Sequence, residues 1–154
     1  MDFRFLIRHV LTKIYWFFAN PLRRWYRYVV RPKNGRATKV MILCNEKLLL
    51  TRPNYGHRLW TVPGGAVEKN ETYEDGARRE IMEELGIEIA ELTMRGGYEM
   101  IFDYKEFTVK TFIAHVKTEA CVIDRIEVKE AHWFQLSELP WDRTPRVDEL
   151  IRLI

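Results

Sequence analysis

One stretch, Thr72 to Ile87, constrains this chain more than any other. Thr72 is placed to cap a helix, Asp75 three residues on completes a loose capping box, and Gly86 stands where a left-handed C-terminal cap belongs. At 100° per residue, Ala77, Ile81 and Leu85 form one apolar stripe, and Glu80, Glu83 and Glu84 fall within about 100° of circumference beside it. The helix can therefore bury one side on a sheet and present three carboxylates next to that side. The arrangement is costly by itself. Like charges at i,i+3 and i,i+4 cost a few tenths of a kcal/mol each, and acids in the last turn oppose the helix dipole. Crowded carboxylate oxygens suit a hard divalent cation, Mg²⁺ or Mn²⁺. A solvated acidic face is the alternative, and three Glu residues alone would favour it.

The rest of the chain supplies a frame for this helix. Its 154 residues, 47% hydrophobic and 31% charged, are enough for one folded domain. Short strands are expected at Thr38–Leu43 and Lys47–Thr51, a hairpin of Met94–Tyr104 and Phe107–Lys117 turning at Lys105-Glu106, a strand at Ala131–Gln135 and a final helix at Val147–Ile154. This mixed order predicts α/β layers around one sheet.

Residues 1–36 read differently from 37–154. They hold nine Lys or Arg against the single acid Asp2, a net +8, on a chain whose total is +3. Residues 1–31 also contain nine of the 20 aromatics. Two amphipathic helices are expected here, separated by Asn20-Pro21. Arg8, His9 and Lys13 interrupt the apolar run, which argues against a signal peptide and a membrane span. Such an arm can lie in the interface of an anionic membrane, or pack on the domain or across a homodimer. RNA contact has no accompanying motif. Cys44 and Cys121, lacking metal-ligand spacing, point to a reducing, cytoplasmic compartment, with the arm available to the inner face of a membrane.

The residues from Gly65 to Ile87 read GAVEKNETYEDGARREIMEELGI. Gly65, Glu71, Arg79, Glu80, Ile81, Glu83, Glu84, Gly86 and Ile87 match every position of the Nudix box, a coincidence on the order of one in a billion by chance. The lead-in Trp60-Thr-Val-Pro63-Gly64-Gly65 and the segment Trp133-Phe-Gln-Leu136 also resemble that family. The resemblance covers residues 37–154. It implies a Nudix-type α/β/α sandwich with a mixed β-sheet, to which the helical pattern of residues 1–36 adds an N-terminal extension, and a Mg²⁺-dependent pyrophosphohydrolase acting on a nucleoside di- or triphosphate derivative. A nucleotide-sensing module, an RNA 5′-end pyrophosphohydrolase and an isopentenyl diphosphate isomerase are the alternatives.

By the same resemblance, Glu80, Glu83 and Glu84 are expected to hold the metal together with the carbonyl of Gly64. Arg79 and Glu71 are expected to pair and hold the loop. Glu80 is the candidate general base and Glu130 the runner-up. For substrate binding, the loop supplies Arg52, Tyr55, His57, Arg58 and Trp60, groups able to stack on a base or pair with phosphate. For Trp60 and Trp133, core packing is the commoner role of an aromatic in such segments. Tyr104 fits a Tyr common in diadenosine polyphosphate hydrolases, and the Pro common in ADP-ribose pyrophosphatases is absent.

Overall fold

The computed structural model describes residues 34–54, 56, 58–102 and 105–154. The two helices expected in residues 1–31, and Tyr55, His57 and Tyr104, lie outside the described residues. Five strands form one sheet: β1 (Asn34–Cys44), β2 (Lys47–Pro53), β3 (Thr93–Phe102), β4 (Lys105–His115) and β5 (Val128–Gln135). Helix α1 (Tyr73–Leu85) lies between β2 and β3, and α2 (Pro145–Leu150) runs into a short 3₁₀ turn, Ile151–Leu153. The sheet order is β3-β4-β1-β2-β5. β1 pairs with β4 in parallel, and every other neighbouring pair is antiparallel.

Residue alternation explains the layers. Val40, Ile42 and Leu49 point to one face with Phe112 and Ala114, where Ala77, Ile81 and Leu85 of α1 cover them. Met41, Leu43, Leu48, Leu50 and Ile113 point to the other, against Trp60, Val62, Val147 and Leu150. β1 is thus buried on both faces toward its C-terminal end, which is why that end, VMILC, reads as one apolar run. Burying Ile81 and Leu85 contributes about 1.5–3 kcal/mol each, which outweighs the charge repulsion along the neighbouring face of α1.

Several expected boundaries move: β5 begins at Val128 rather than Ala131, and α2 at Pro145 rather than Val147. Lys105 and Glu106 are already in β4, paired with Phe102 and Ile101, so the hairpin turns earlier than expected. β3 is an edge strand, largely exposed, and polar residues there do not signal a break. β1 begins at Asn34, before the start expected at Thr38, because its ladder with β4 runs unbroken from Asn34↔Glu106 to Leu43↔His115. That long-range pairing overrides the turn propensity of Asn34-Gly35.

Beyond the Leu43↔Leu48 pair, β1 and β2 part, and Thr61–Val67 takes up the donors they leave. The amides of Thr38, Val40 and Thr51 donate to the carbonyls of Gly65, Pro63 and Thr61 at 2.9, 3.0 and 2.9 Å. The paired glycines are thereby fixed in the opening between two strands, beside the end of α1.

Candidate active site

Helix α1 is capped as its sequence requires. Thr72 Oγ1 accepts from the Asp75 amide at 3.1 Å and donates to its carboxylate at 2.7 Å, and Gly86 adopts φ 63° with its N–H on the Met82 carbonyl. From this fixed helix, Arg79 reaches back along the loop that precedes it. Its Nε and Nη2 meet the two oxygens of Glu71 at 2.8 and 2.9 Å, and Nη2 also donates to the Ala66 carbonyl at 2.8 Å. Glu71 accepts further from the Glu68 amide at 2.9 Å. Arg36 of β1 closes the same loop from outside, donating to the carbonyls of Glu68 and Glu71 at 2.6 and 2.9 Å. The guanidinium hydrogen bonds hold the Glu71 carboxyl below its ordinary range, against the opposing effect of burial. Despite desolvation, the paired acids hold Arg79 firmly charged.

A second group of carboxylates has a different environment. Oxygens of Glu80, Glu84 and Glu127 all lie within 4.8 Å of one another. Glu80 is 2% exposed and accepts from Arg79 Nη1 at 2.7 Å. Glu84 accepts from the Gly64 amide at 3.3 Å. Burial first, and the charge of Glu80 next, push the Glu84 carboxyl up to about 8, although Lys39 and the Gly64 N–H favour its charged form. Lys39 projects from β1 and donates to the carbonyls of Val62 at 2.8 Å and Gly64 at 3.3 Å. Desolvation lowers its pKa, and Glu84 and Glu80 oppose that shift.

The glycines make this crowding possible. A Cβ on Gly65 would collide with the Glu80 carboxylate, and a Cβ on Gly64, at φ 128°, would strike the Thr38 carbonyl. The donor set consists of hard oxygens, packed closely enough to raise the pKa of one member. Mg²⁺ and Mn²⁺ fit such a set.

Glu127 escaped the reading of the sequence. It lies 43 residues after Glu84, in a turn before β5. The chain returns there because the amides of Val122 and Asp124 donate to the Leu85 and Glu84 carbonyls at 2.7 and 2.9 Å, which satisfies the open end of α1. An acid outside the box was sought at Glu130. That residue is in β5 opposite Arg52, with Lys129 at 3.2 Å from its carboxylate. Lys39 was also passed over; the signal was a lone Lys ahead of the fully apolar VMILC.

The remaining site residues divide. Glu83 lies outside the three-carboxylate group, its carboxylate 3.4 Å from Arg79. Arg52 pairs with Asp142 at 2.5 Å and lies over the Trp60 ring, 4.7 Å from its centroid. Trp60 is 5% exposed and makes edge contacts with His132 and Phe134, so it is core and presents no open face to a ligand. Arg58 is exposed and has φ 53°. Gly64 has its carbonyl on Lys39.

The chain is similar to several known proteins. The mouse oxidized purine nucleoside triphosphate hydrolase is 33% identical over 112 residues, 68% of this chain and 68% of that protein. An NAD-capped RNA hydrolase NudC from Escherichia coli is 33% identical over 93 residues, 60% of this chain. The chain spans only about a third of that relative's length, 35%. Among solved structures, a MutT NUDIX hydrolase from Burkholderia pseudomallei superposes with a TM-score of 0.72 at 22% identity, covering 79% of this chain and 98% of that one. A C. elegans Ap4A hydrolase complex gives 0.67 at 22% identity, with 77% and 93% covered. The NUDIX domain pattern itself matches residues 33–154, and with box, sheet and capped helix all in register the chain belongs to the Nudix family.

Proposed function

We propose that this Nudix protein is a divalent-metal-dependent pyrophosphohydrolase that opens a diphosphate linkage in a nucleoside di- or triphosphate derivative. The single observation that carries the reading is the packing of the Glu80, Glu84 and Glu127 carboxylates within 4.8 Å beside the Gly64-Gly65 turn. In this reading those three side chains and the Gly64 carbonyl hold the ion, and Glu83 is the further ligand for a second one. A bound Mg²⁺ neutralises phosphate oxygens and lowers the pKa of water. The chain's own groups do the rest. Arg79 orients Glu80, which takes the proton of the attacking water as the new P–O bond forms and the bridging P–O bond breaks. Arg79 and Glu71 act by holding the loop. Exposed Arg58, together with Tyr55, His57 and Tyr104, is proposed to contact the substrate.

The test is phosphate, pyrophosphate and nucleoside monophosphate release from a panel of nucleotides with Mg²⁺ or Mn²⁺. Metal-dependent turnover of at least one diphosphate-linked nucleotide is expected. Binding without turnover across the panel would favour a nucleotide-sensing module instead. Release from 5′-triphosphate or NAD-capped RNA above that from free nucleotides would favour the RNA 5′-end reading.

Among the described residues no helix is long and apolar enough to cross a membrane. The basic, aromatic arm of residues 1–31 is proposed as the partner-binding part of the chain, for an anionic membrane surface or a second copy. Co-sedimentation with anionic vesicles, weakening as salt rises, supports the first; an arm-dependent dimer in sedimentation analysis supports the second.

A further inference from the structure

Glu127 belongs to a turn, and the turn is gripped by one side chain. Asn54, at the end of β2, donates its backbone N–H to the Glu127 carbonyl at 3.0 Å. Its Nδ2 donates to the Arg125 carbonyl at 2.6 Å and to the Ile126 carbonyl at 3.1 Å. Three consecutive carbonyls of the turn thus end on one residue. A register shift makes the meeting possible: Arg52 pairs with Glu130 but Pro53 with Val128, so Lys129 is an extra residue in β5. Such bulges re-aim the adjoining chain. On its other side the turn is held by Asp124, whose amide donates to the Glu84 carbonyl and whose own carbonyl accepts from Glu127 and Val128. The turn therefore hangs between α1, which carries Glu80 and Glu84, and Asn54.

We infer that Asn54 is a positioning residue for the metal site, fixing Glu127 at the distance from Glu80 and Glu84 that a shared divalent cation requires. The inference rests on the proposed metal-binding role of those carboxylates. Asn54 touches neither ion nor substrate in this role; it sets where the third carboxylate stands. A purely structural Asn54 would matter to the stability of the turn and leave cation affinity alone.

The experiment is Mn²⁺ titration of the full chain, without nucleotide, by electron paramagnetic resonance or calorimetry, with melting in EDTA alongside. Asn54→Ala and Asn54→Asp remove the Nδ2 donors while keeping the backbone N–H. Each is expected to weaken Mn²⁺ binding by about 10-fold, the lower end of what groups behind a metal's ligands contribute. Glu127→Gln should weaken it at least as much. In the double variant Asn54→Asp/Glu127→Gln the losses should not add, because one acts through the other. Full additivity, or Mn²⁺ affinity at parent level in both Asn54 variants, overturns the inference. If one Asn54 variant does not fold, the other and the double variant carry the comparison; if neither folds, Asn54 is a stability residue and the inference is overturned. If Glu80→Gln and Glu127→Gln also leave Mn²⁺ binding unchanged, it is the metal-site reading that fails, a result distinct from failure of Asn54 alone.

Discussion

The two ends of the box treat the same residue type in opposite ways. At the loop end, Glu71 is met by a bidentate guanidinium and a backbone amide, and its pKa falls. At the helix end, Glu84 is buried beside Glu80 and Glu127, and burial first, then the charge of Glu80, raises its pKa to about 8. Arg79 joins the two ends, because it contacts Glu71 on one side and Glu80 on the other. The difference teaches how to separate residues that hold the fold from residues proposed to bind a ligand. Composition cannot do this, since both ends are Glu; how fully a counter-charge meets each carboxylate can. Lys39 partly fills that place at the helix end, at the expense of its own solvation.

The largest effect that would break this contrast is functional. Glu84→Gln should lower turnover at saturating Mg²⁺ by at least about 100-fold, the scale on which metal-site groups act, while the melting temperature in EDTA stays level or rises. Parent-level turnover, or a large drop in metal-free stability, would place Glu84 with the fold-holding residues. Arg79→Ala tests the opposite end. It strands Glu71 and removes a contact of Glu80, both largely buried, at an expected cost of about 3 kcal/mol in denaturant unfolding. Activity falls with it. A stable but inactive Arg79→Ala protein would instead show Arg79 acting on substrate.

Lys39→Met is the next smaller effect. Losing the ammonium leaves the carboxylates less balanced, so melting in EDTA should drop by a few degrees, about 1 kcal/mol at this chain length. Mn²⁺ should then raise the melting temperature by more than it does in the parent. Equal metal-induced shifts in the two proteins would remove Lys39 from the balance.

A further effect is in pH, where the two carboxylates must have opposite signs. The raised Glu84 binds a proton more tightly folded than unfolded. Its contribution to stability is present below about 4.5, the ordinary value, and is lost as pH rises toward about 8. The lowered Glu71 contributes above that ordinary value and loses its contribution as pH falls through its folded pKa. Metal-free unfolding followed across pH should therefore lose its neutral-range slope in Glu84→Gln and its acid-range slope in Glu71→Gln. Loss of the same limb in both variants would refute the opposition.

How much of this was legible in the sequence follows from range. The caps of α1 depend on residues three or four apart, and Thr72, Asp75 and Gly86 stand where the sequence puts them. The Arg79–Glu71 contact, eight residues apart, was also within reach of the motif. Glu127 was not, because its place is set by hydrogen bonds to the far end of α1 and to Asn54, which no local pattern records. The parallel order of β1 and β4 was hidden for the same reason. Trp60 illustrates the remaining difficulty: an aromatic in a loop reads as a contact surface until neighbours such as Arg52 and Phe134 are seen to enclose it.

The β1–β4 ladder joins residues 72 apart in sequence at every rung. Loop closure on that scale precedes any gain from pairing, which makes this an intrinsically slow step. During synthesis β1 emerges long before β4, and its VMILC run, buried on both faces in the finished domain, must wait with one edge unpaired. The interval in which this protein is most exposed to misassociation is therefore the translation of residues 44 to 115, before the strand that shields its most apolar segment exists.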